Sequence, residues 1–349
     1  PEEVEHVIMG QVLTAGQGQV PSRQAASKGG IPMNVPSINI NKVCLSGLNS
    51  IYLANQMIMA GEADIVIAGG MESMTNAPYL AQGARGGFRY GNTELQDAII
   101  RDGLWCAFDA CLMGLGTERY AAGNITREQQ DDMAMKSNVR AAAAIAEGRL
   151  TDEIVPVVIP QRKGDPTVVA TDEGVRGNTT MESLGGLKPA FDKEGTITAA
   201  NASQISDGGS AIVMMSEKAV NARGVTPLGQ FGSYGRVAGP DKASLLHQPS
   251  RAIQRALARA GKSIADVDLF EINEAFAAVG IASIAELGIS DEIVNVNGGA
   301  IALGHPIGMS GNRLALTILH ELRRRGGGTG AAALCGGGGQ GDAIVVRTV

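Results

Sequence analysis

The sequence predicts an α/β protein made of two similar halves with a large insertion. Strand and helix signals alternate in residues 1–73 and alternate again in the last third of the chain. Between them, residues 74–205 carry loops, charges and one clear amphipathic helix, which is typical of an inserted loop domain. The order of elements after Cys44 also recurs after His305, which favours two related halves.

Size and composition narrow the class of protein. The 349 residues are enough for two or three packed units, and 44% of them are hydrophobic. Only 3% are aromatic whereas 48 are glycine, which suits close backbone packing and glycine-rich site loops. A net charge of −6 without a long basic block argues against nucleic-acid binding. No apolar run reaches the roughly 18 residues of a membrane span, so no membrane partner is expected.

The first part of the chain alternates strands with one buried helix. Strands are predicted at residues 6–9, 37–43 and 64–68, and a helix at residues 46–60. This helix is apolar on nearly all sides and is therefore expected to be buried. Ser46 is its predicted N-cap, and Gly61 follows its end.

The insertion and the last third continue the prediction. In the insertion a helix is predicted at residues 127–147 and a strand at residues 152–159. In the last third the predicted strands are residues 267–272, 294–297, 331–334 and 343–346. A helix at residues 310–325 ends in three consecutive arginines, which the helix dipole favours at that end.

An internal echo links the two ends of the chain. Cys44 precedes Ser46 and Gly47, then a helix and the strand at residues 64–68. His305 precedes Ser310 and Gly311, then a helix of similar length and the strand at residues 331–334. Two such units that face each other would bring Cys44 and His305 to one shared site.

The four cysteines indicate the compartment. Cys44, Cys106, Cys111 and Cys335 form no CxxC pair and no zinc-ligand spacing with the histidines. A disulfide framework is not expected at this length, which favours a reducing, intracellular compartment, the cytoplasm. No signal peptide is visible, but the chain opens without Met, so an organellar targeting segment upstream of Pro1 stays open.

Cys44 and His305 are the first candidates for chemistry. Cys44 lies where a strand ends and a buried helix begins, so N–H groups and the helix dipole are expected to lower its thiol pKa. A buried structural cysteine is the alternative. His305 is enclosed by Gly304 and Pro306 and is either the base for that thiol or a satisfied loop histidine.

Cys335 and Asn273 also follow predicted strands. Cys335 precedes four glycines, residues 336–339, whose N–H groups can bind an oxyanion. A dinucleotide-binding loop is excluded there because a strand, and no helix, follows. Asn273 and Glu274 are either site residues or the cap of the next helix.

The segments around these residues resemble the thiolase family and, within it, the acetyl-CoA acetyltransferases. The matching segments occur in family order and span essentially the whole chain; they are residues 43–47, 69–74, 201–203, 273–276, 304–306 and 335–339. The resemblance implies duplicated βαβαβ halves in a layered α/β/α/β/α core. It places the N-terminal half at residues 1–73 plus 206–227, the CoA-binding loop domain at 74–205 and the C-terminal half at 228–349.

The same resemblance implies a reaction and its residues. The reaction is the reversible Claisen condensation of two acetyl-CoA to acetoacetyl-CoA plus CoA, through an acyl group on Cys44. His305 would take the thiol proton, and Cys335 would remove or return the α-proton of the second acyl-CoA. One oxyanion hole would use His305 and a water held by Asn273, and the other the backbone N–H groups of Cys44 and Gly337. CoA thioesters are substrates, and neither a permanently bound cofactor nor a metal is implied.

By position, the CoA contacts implied by the resemblance fall mainly in the insertion. Arg176 would lie near the nucleotide, Ser183 and Ser203 near the pantetheine, and Met113 against the thioester. A homotetramer built as a dimer of dimers is also implied, with the strand at residues 37–43 pairing across a two-fold axis.

This chain departs from the family pattern at three places. Leu112 stands where many short-chain members have histidine, and His247 stands where others have a glycine-rich run. Members also have a strand and a helix before the position of Pro1, so a truncated start is expected.

Three other functions compete with this reading. One is a degradative 3-ketoacyl-CoA thiolase of broader chain length. A ketoacyl synthase normally pairs its acyl-cysteine with two histidines, whereas the second position here is Cys335. A non-catalytic, thiolase-like lipid-binding protein would not need Cys44, Asn273, His305 and Cys335 together.

Overall fold

Two four-stranded sheets and the helices around them make up most of the protein. The computed structural model describes residues 1–349. Its strands are β1 (His6–Gly10), β2 (Ser37–Ile40), β3 (Ile65–Ser73), β4 (Tyr79–Leu80), β5 (Gln96–Asp97), β6 (Trp105–Cys106), β7 (Cys111–Leu112), β8 (Val157–Ile159), β9 (Thr167–Val169), β10 (Asp207–Met215), β11 (Gln230–Ala238), β12 (Leu269–Ile272), β13 (Thr329–Gly336) and β14 (Gln340–Arg347). Its α-helices are α1 (Pro21–Lys28), α2 (Ser46–Met59), α3 (Met113–Ala121), α4 (Arg127–Ala146), α5 (Met181–Gly185), α6 (Glu217–Arg223), α7 (Gln248–Ala260), α8 (Ala277–Leu287), α9 (Ala300–Leu303) and α10 (Ser310–Arg324). No helix is both long and apolar enough to cross a membrane.

The two sheets share a common arrangement. The first has the strand order β10-β3-β1-β2, and the second has the order β11-β14-β13-β12. β3 runs parallel to β1, and β13 runs parallel to β12. β10 and β14 are antiparallel to β3 and β13. Each half therefore contains a helix, then a strand parallel to one neighbour, then a strand antiparallel to that strand. These elements are α2, β3 and β10 in the first half and α10, β13 and β14 in the second half. This arrangement is the structural counterpart of the echo in the sequence.

Helices α2 and α10 lie between the sheets. Leu48 and Ile51 of α2 and Leu314 and Ile318 of α10 belong to one buried apolar cluster with residues of both sheets. On the outer faces, α1 packs against the first sheet and α7 against the second. The α/β/α/β/α layering expected from the sequence is confirmed.

Glycine permits the close crossing of α2 and α10. A Cβ atom on Gly47 would lie 2.6 Å from the carbonyl oxygen of Met309, and one on Gly311 would lie 2.5 Å from the backbone nitrogen of Leu48. Both separations are too short for a side chain, so each helix needs glycine at the crossing. The crossing brings the starts of both helices together, and with them the preceding loops of Cys44 and His305.

The strand predicted at residues 294–297 is wrong. Asn295 has φ 47 and lies in a turn. Its Oδ1 accepts from the N–H of Ile272 at 2.9 Å, and its Nδ2 donates to the carbonyl of Ile272 at 2.8 Å. The side chain thus takes the hydrogen bonds that a strand backbone would make, and only Val294 forms an isolated bridge, to Phe270.

Two other predicted elements are shorter than expected. The strand predicted at residues 37–43 ends at Ile40, and Val43 adopts φ 50 in the turn before α2. Ser46 is the first residue of α2 and not its N-cap, which is Leu45. Of the strand predicted at residues 152–159 only β8 exists, because residues 151–153 form a turn.

The long helices are predicted well. The helices at residues 46–60, 127–147 and 310–325 end within one residue of α2, α4 and α10. A capping box fixes the start of α4, since Thr126 Oγ1 accepts from the N–H of Gln129 at 3.2 Å. The strands at residues 64–68, 331–334 and 343–346 extend further, as β3, β13 and β14.

Candidate active site

Cys44 lies in a tight turn between β2 and α2. Val43 has φ 50, and its N–H donates to Oδ1 of Asn41 at 3.0 Å. Ser46 Oγ accepts from the N–H of Lys42 at 2.8 Å and donates to the carbonyl of Val43 at 2.7 Å. These bonds hold Cys44 at the start of α2. Its buried side chain packs in a cluster with Val12, Leu13, Met74 and Ile307.

The thiol of Cys44 is protonated in the resting protein. Burial raises its pKa to about 12, and the charge of Glu72 adds to this, while the N–H groups of Cys44 and Gly337 lower it. The lowered pKa expected from the sequence is wrong, because desolvation of the thiolate outweighs those N–H groups. The two N–H groups come from different halves of the protein, and both favour the thiolate.

His305 is neutral and is held by Ser310. Burial, and then the positive charge of Arg313, lowers the pKa of His305 to about 4. Ser310 Oγ lies 2.5 Å from Nδ1 of His305 and donates its own proton to the carbonyl of Pro306 at 2.9 Å. A hydroxyl has one proton, so Nδ1 must carry a proton and donate to Ser310. Nε2 is therefore left with a free lone pair, as a base requires.

Asn273 lies beside that lone pair. It follows β12, and its N–H donates to the carbonyl of Ala333 on β13 at 2.9 Å. Its Nδ2 lies 3.4 Å from Nε2 of His305. Its Oδ1 is buried without a hydrogen-bond partner in the protein, which is unusual and leaves an acceptor available next to His305.

Cys335 lies close to Cys44. It lies near the end of β13, fully buried, opposite Gly341 of β14. Burial raises the pKa of Cys335, and an ionised Cys44 would raise it further, so this thiol is also neutral at rest. The turn of residues 337–339 follows it and places Gly337 against Cys44.

Glu274 supports the site in a way that the sequence did not reveal. Its buried carboxylate accepts from Ser137 Oγ at 2.6 Å, Asn295 Nδ2 at 2.8 Å and the N–H of Ile301 at 3.1 Å. The cap role considered for the following helix is wrong, because α8 begins three residues later with Phe276 as its N-cap. Glu274 instead caps α9, the helix that precedes His305.

Glu72 lies in the matching segment at residues 69–74, and the sequence indicates no role for it. Its carboxylate accepts from the N–H groups of Val12 and Leu13, both at 3.0 Å, and of Gly308 at 2.9 Å. Burial raises the pKa of Glu72. The residue joins the end of the first sheet to the loop of His305, so it fixes one wall of the pocket.

The predicted CoA contacts divide into two groups. Met113 begins α3, lines a small cavity with Leu245 and Gly338, and is buried in one apolar cluster with Cys335. Ser203 Oγ donates to the carbonyl of Ala275 at 3.1 Å, which places it beside the Asn273 segment.

Arg176 and Ser183 lie on an exposed part of the insertion. The backbone N–H of Arg176 donates to Oδ1 of Asn138 at 2.9 Å, and Ser183 Oγ donates to the carbonyl of Thr180 at 2.8 Å. Neither side chain hydrogen-bonds to a catalytic residue, so their CoA contacts stay predictions.

Leu112 and His247, two of the three departures from the family pattern, have different surroundings. Leu112 pairs with Trp105 across the β6–β7 hairpin and supplies no polar group to the site. His247 precedes α7, and its Nδ1 lies 3.6 Å from the carboxylate of Glu286 on α8.

Together the layered fold and a pocket with two neutral thiols and one neutral imidazole define an acyltransferase. Residues 1–218 match the family model "Thiolase, N-terminal domain", and residues 225–348 match "Thiolase, C-terminal domain". The chain belongs to the thiolase family.

Known relatives are similar along nearly their whole length. A probable acetyl-CoA acetyltransferase of Mycolicibacterium smegmatis is 55% identical over 99% of this chain and 89% of the relative. An acetyl-CoA acetyltransferase of Cupriavidus necator is 52% identical over 99% and 88%. The crystal structure of the Bacillus anthracis acetyl-CoA acetyltransferase superposes with a TM-score of 0.95 at 38% identity, over 100% of this chain and 88% of that one.

Proposed function

We propose that this thiolase condenses two acetyl-CoA reversibly to acetoacetyl-CoA and CoA, with the acetyl group carried on Cys44. The observation that supports this most directly is the closeness of the Cys44 turn to two other segments. Gly337, in the loop after Cys335, lies against Val43, and Ile307, two residues after His305, packs with Cys44. Two N–H donors at a nucleophile form a ready oxyanion site. The acetyl-CoA acetyltransferase names of the relatives give the substrate class.

The resting protonation states set the first half-reaction. The Cys44 sulfur attacks the thioester carbonyl while Nε2 of His305 takes its proton, because neither group is ionised beforehand. The oxyanion accepts from the N–H groups of Cys44 and Gly337. The C–S bond to CoA then breaks, and the departing CoA sulfur takes the proton of Cys335. Acetyl-Cys44, a Cys335 thiolate and a protonated His305 remain.

The second half-reaction returns every proton. The Cys335 thiolate removes a proton from the methyl group of the second acetyl-CoA. The enolate oxygen is held by the Nε2–H of protonated His305 and by a water on Asn273. The carbanion attacks acetyl-Cys44, and the Cys44 sulfur leaves with the proton of His305. Each side chain regains its starting state.

Intact mass spectrometry after mixing with acetyl-CoA tests this function. Wild type should gain one acetyl group on Cys44, and Cys44→Ala should gain none. Cys111→Ala is the matched control, because Cys111 is a buried free cysteine outside the four proposed catalytic residues. An undiminished adduct in Cys44→Ala would overturn the assignment.

We assign a short acyl chain to the substrate. Met113 and Leu245 are buried in one apolar cluster with Cys335, so packed side chains surround the proposed acyl end of the site. A longer acyl chain would need these side chains to move. This supports acetyl-CoA over the long 3-ketoacyl-CoA substrates of a degradative thiolase. Arg176, Ser183 and Ser203 are proposed to follow the CoA chain outward from this end.

We also propose a cytoplasmic homotetramer, built as a dimer of dimers. β2 is an edge strand of the first sheet, and Ile38 on it is 46% exposed. An open edge with an exposed apolar residue can pair with its copy across a two-fold axis. Four free, buried cysteines support a reducing compartment.

A further inference from the structure

An ion pair joins the turn of Cys44 to the opposite half of the protein. Lys42 Nζ lies 2.7 Å from both carboxylate oxygens of Asp342 on β14. The two residues are 300 positions apart in the chain. The side chain of Asp342 is fully buried, and that of Lys42 is 26% exposed.

Asp342 is itself fixed by its surroundings. Tyr234 on β11 donates its hydroxyl proton to the same carboxylate at 2.7 Å. Asn49 of α2 donates to the Tyr234 hydroxyl at 3.3 Å. The ring of Tyr234 stacks on that of Tyr52, with 4.5 Å between centroids. The carboxylate is therefore a rigid acceptor in the second sheet, and the flexible lysine is the partner that reaches it.

Both partners are close in sequence to reacting groups. Lys42 is two residues before Cys44, in the turn with the strained Val43. Asp342 lies opposite Leu334, and its neighbour Gly341 lies opposite Cys335. The proposed oxyanion site uses one N–H from each half, those of Cys44 and Gly337. The two segments touch on both sides of Cys44, since a Cβ on Gly337 would lie 3.4 Å from Val43 and one on Gly336 would lie 2.5 Å from Leu45. The geometry of this oxyanion site therefore depends on how the Cys44 turn is seated on the β13–β14 pair.

We propose that Lys42 and Asp342 are positioning residues that clamp the Cys44 turn onto the Cys335 strand and so set the oxyanion site for acetyl transfer. This inference rests on the proposed roles of Cys44 and Gly337. The clamp acts on the reacting centre and leaves the CoA-binding insertion untouched. Its loss should therefore lower kcat and the rate of Cys44 acetylation, with little change in KM.

A suitable variant removes the pair without leaving a buried charge. Truncating one partner alone would strand the other charge and unfold the region for that reason. In the double variant Lys42→Met, Asp342→Asn, the methionine replaces the lysine stem, and the asparagine oxygen still accepts from Tyr234. Lys42→Arg keeps the ion pair. Lys218→Met with Asp64→Asn is the control, because it removes a 2.8 Å ion pair within one half.

The experiment measures acetylation of Cys44 by rapid quench, KM for acetyl-CoA, and the thermal unfolding midpoint. The double variant should stay folded, acetylate roughly 10- to 100-fold more slowly and keep its KM, because a misplacement of about 1 Å has effects of this size. Lys42→Arg and the control should acetylate near the wild-type rate. A purely structural role would lower the midpoint and leave the rate of the folded protein unchanged.

Two outcomes distinguish a failure of the proposed function from a failure of the proposed clamp. Absence of acetyl-Cys44 in wild type would overturn the proposed function. Acetyl-Cys44 in wild type with an equal rate in the double variant would overturn the clamp alone. Should the double variant unfold, Lys42→Gln with Asp342→Asn leaves no buried charge and keeps an N–H donor for the Asn oxygen. It should then show an intermediate rate, and a wild-type rate in this second double variant would refute the clamp.

Discussion

Nδ1 of His305 lies 2.5 Å from the hydroxyl oxygen of Ser310, the first residue of α10. The Ser310 proton is directed to the carbonyl of Pro306, so the serine determines which imidazole nitrogen carries hydrogen. α10 also crosses α2 closely at Gly311 and Gly47. One helix crossing therefore orients His305, the proposed base, and brings its loop close to the turn of Cys44, the proposed nucleophile.

Ser310→Ala should slow acetylation of Cys44. Without its acceptor, the imidazole loses both its orientation and its preference for a proton on Nδ1. The lost hydrogen bond is worth about 1 kcal/mol, which corresponds to a roughly 5- to 10-fold lower rate. Rapid-quench mass spectrometry measures it. Ser50→Ala is the control, because Ser50 makes a similar bond to a helical carbonyl, that of Gly47 at 2.8 Å. Equal rates in both variants would contradict the role of Ser310.

The fold was predictable wherever periodicity and local signals agreed. The buried helix α2 and the amphipathic helix α4 are long enough for their patterns to dominate. The errors arise where a side chain replaces backbone pairing, as Asn295 does at Ile272, or where the backbone turns unexpectedly, as at Val43. Helix α7 was not predicted, although Pro249 near its start and Gly261 after its end are ordinary helix signals.

The sequence predicts candidate site residues, but it could not predict their electrostatics. Cys44, Asn273, His305 and Cys335 stand at strand ends or beside glycines, which a sequence shows. The pKa of Cys44 is raised because of burial, and burial depends on packing by distant segments. The Lys42–Asp342 pair spans 300 positions, so no local pattern reveals it.

Cys335→Ala should separate the two half-reactions. Cys335 is proposed to handle the α-proton, so this variant should lose exchange of the acetyl-CoA methyl protons with deuterated water. It should still acetylate Cys44, at a lower rate, because CoA must then leave as a thiolate without the proton of Cys335. The loss should be at least about 100-fold, as for removal of a general base. NMR measures the exchange, with Cys111→Ala as the control. Normal exchange in Cys335→Ala would rule the role out.

Acetylation of Cys44 should be almost independent of pH between 5 and 8. The pKa of His305 is lowered to about 4 by burial, so the base is already neutral at pH 5. An ordinary histidine with a pKa near 6.5 would be mostly protonated at pH 5 and would slow the reaction about 30-fold. Single-turnover rates across this range test it, with circular dichroism to check folding. A midpoint near pH 6.5 would contradict the shift.

The lowered pKa of His305 also predicts that the folded protein loses stability at acidic pH. A histidine with a lowered folded-state pKa contributes stability above about pH 6.5, and this is lost as pH falls towards 4, because the unfolded chain takes up the proton first. The loss from this one group is about 3 kcal/mol. Urea unfolding of wild type should therefore weaken more between pH 6.5 and 4.5 than that of His305→Asn. Parallel curves would show that His305 is not the group responsible.

Assembly through β2 predicts a defined mass in solution. Light scattering at micromolar concentration should report a tetramer. Ile38→Lys places a charge on the exposed edge of β2 and should weaken the dimer, because like charges would meet across the two-fold axis. Val213→Lys is the control, since Val213 is exposed on the opposite edge strand, β10. A monomeric wild type would contradict the assembly.

The packing around Met113 predicts selectivity for short chains. Met113 and Leu245 line a small cavity and are buried in one apolar cluster with Cys335. In a roomy pocket each extra buried CH₂ would contribute about 0.8 kcal/mol, whereas here added methylenes must displace packed side chains. Acetoacetyl-CoA should therefore have a higher kcat/KM than 3-ketohexanoyl-CoA, and 3-ketodecanoyl-CoA should have the lowest. Met113→Ala should narrow this difference in kcat/KM by opening the cavity, while Met59→Ala, at an exposed position on α2, should not.

The competing outcome is that a longer acyl chain packs along Leu112, which is apolar and lies in the β6–β7 hairpin. If wild type cleaves the ten-carbon substrate as well as the four-carbon one, the short-chain assignment is wrong and a degradative thiolase is the better description.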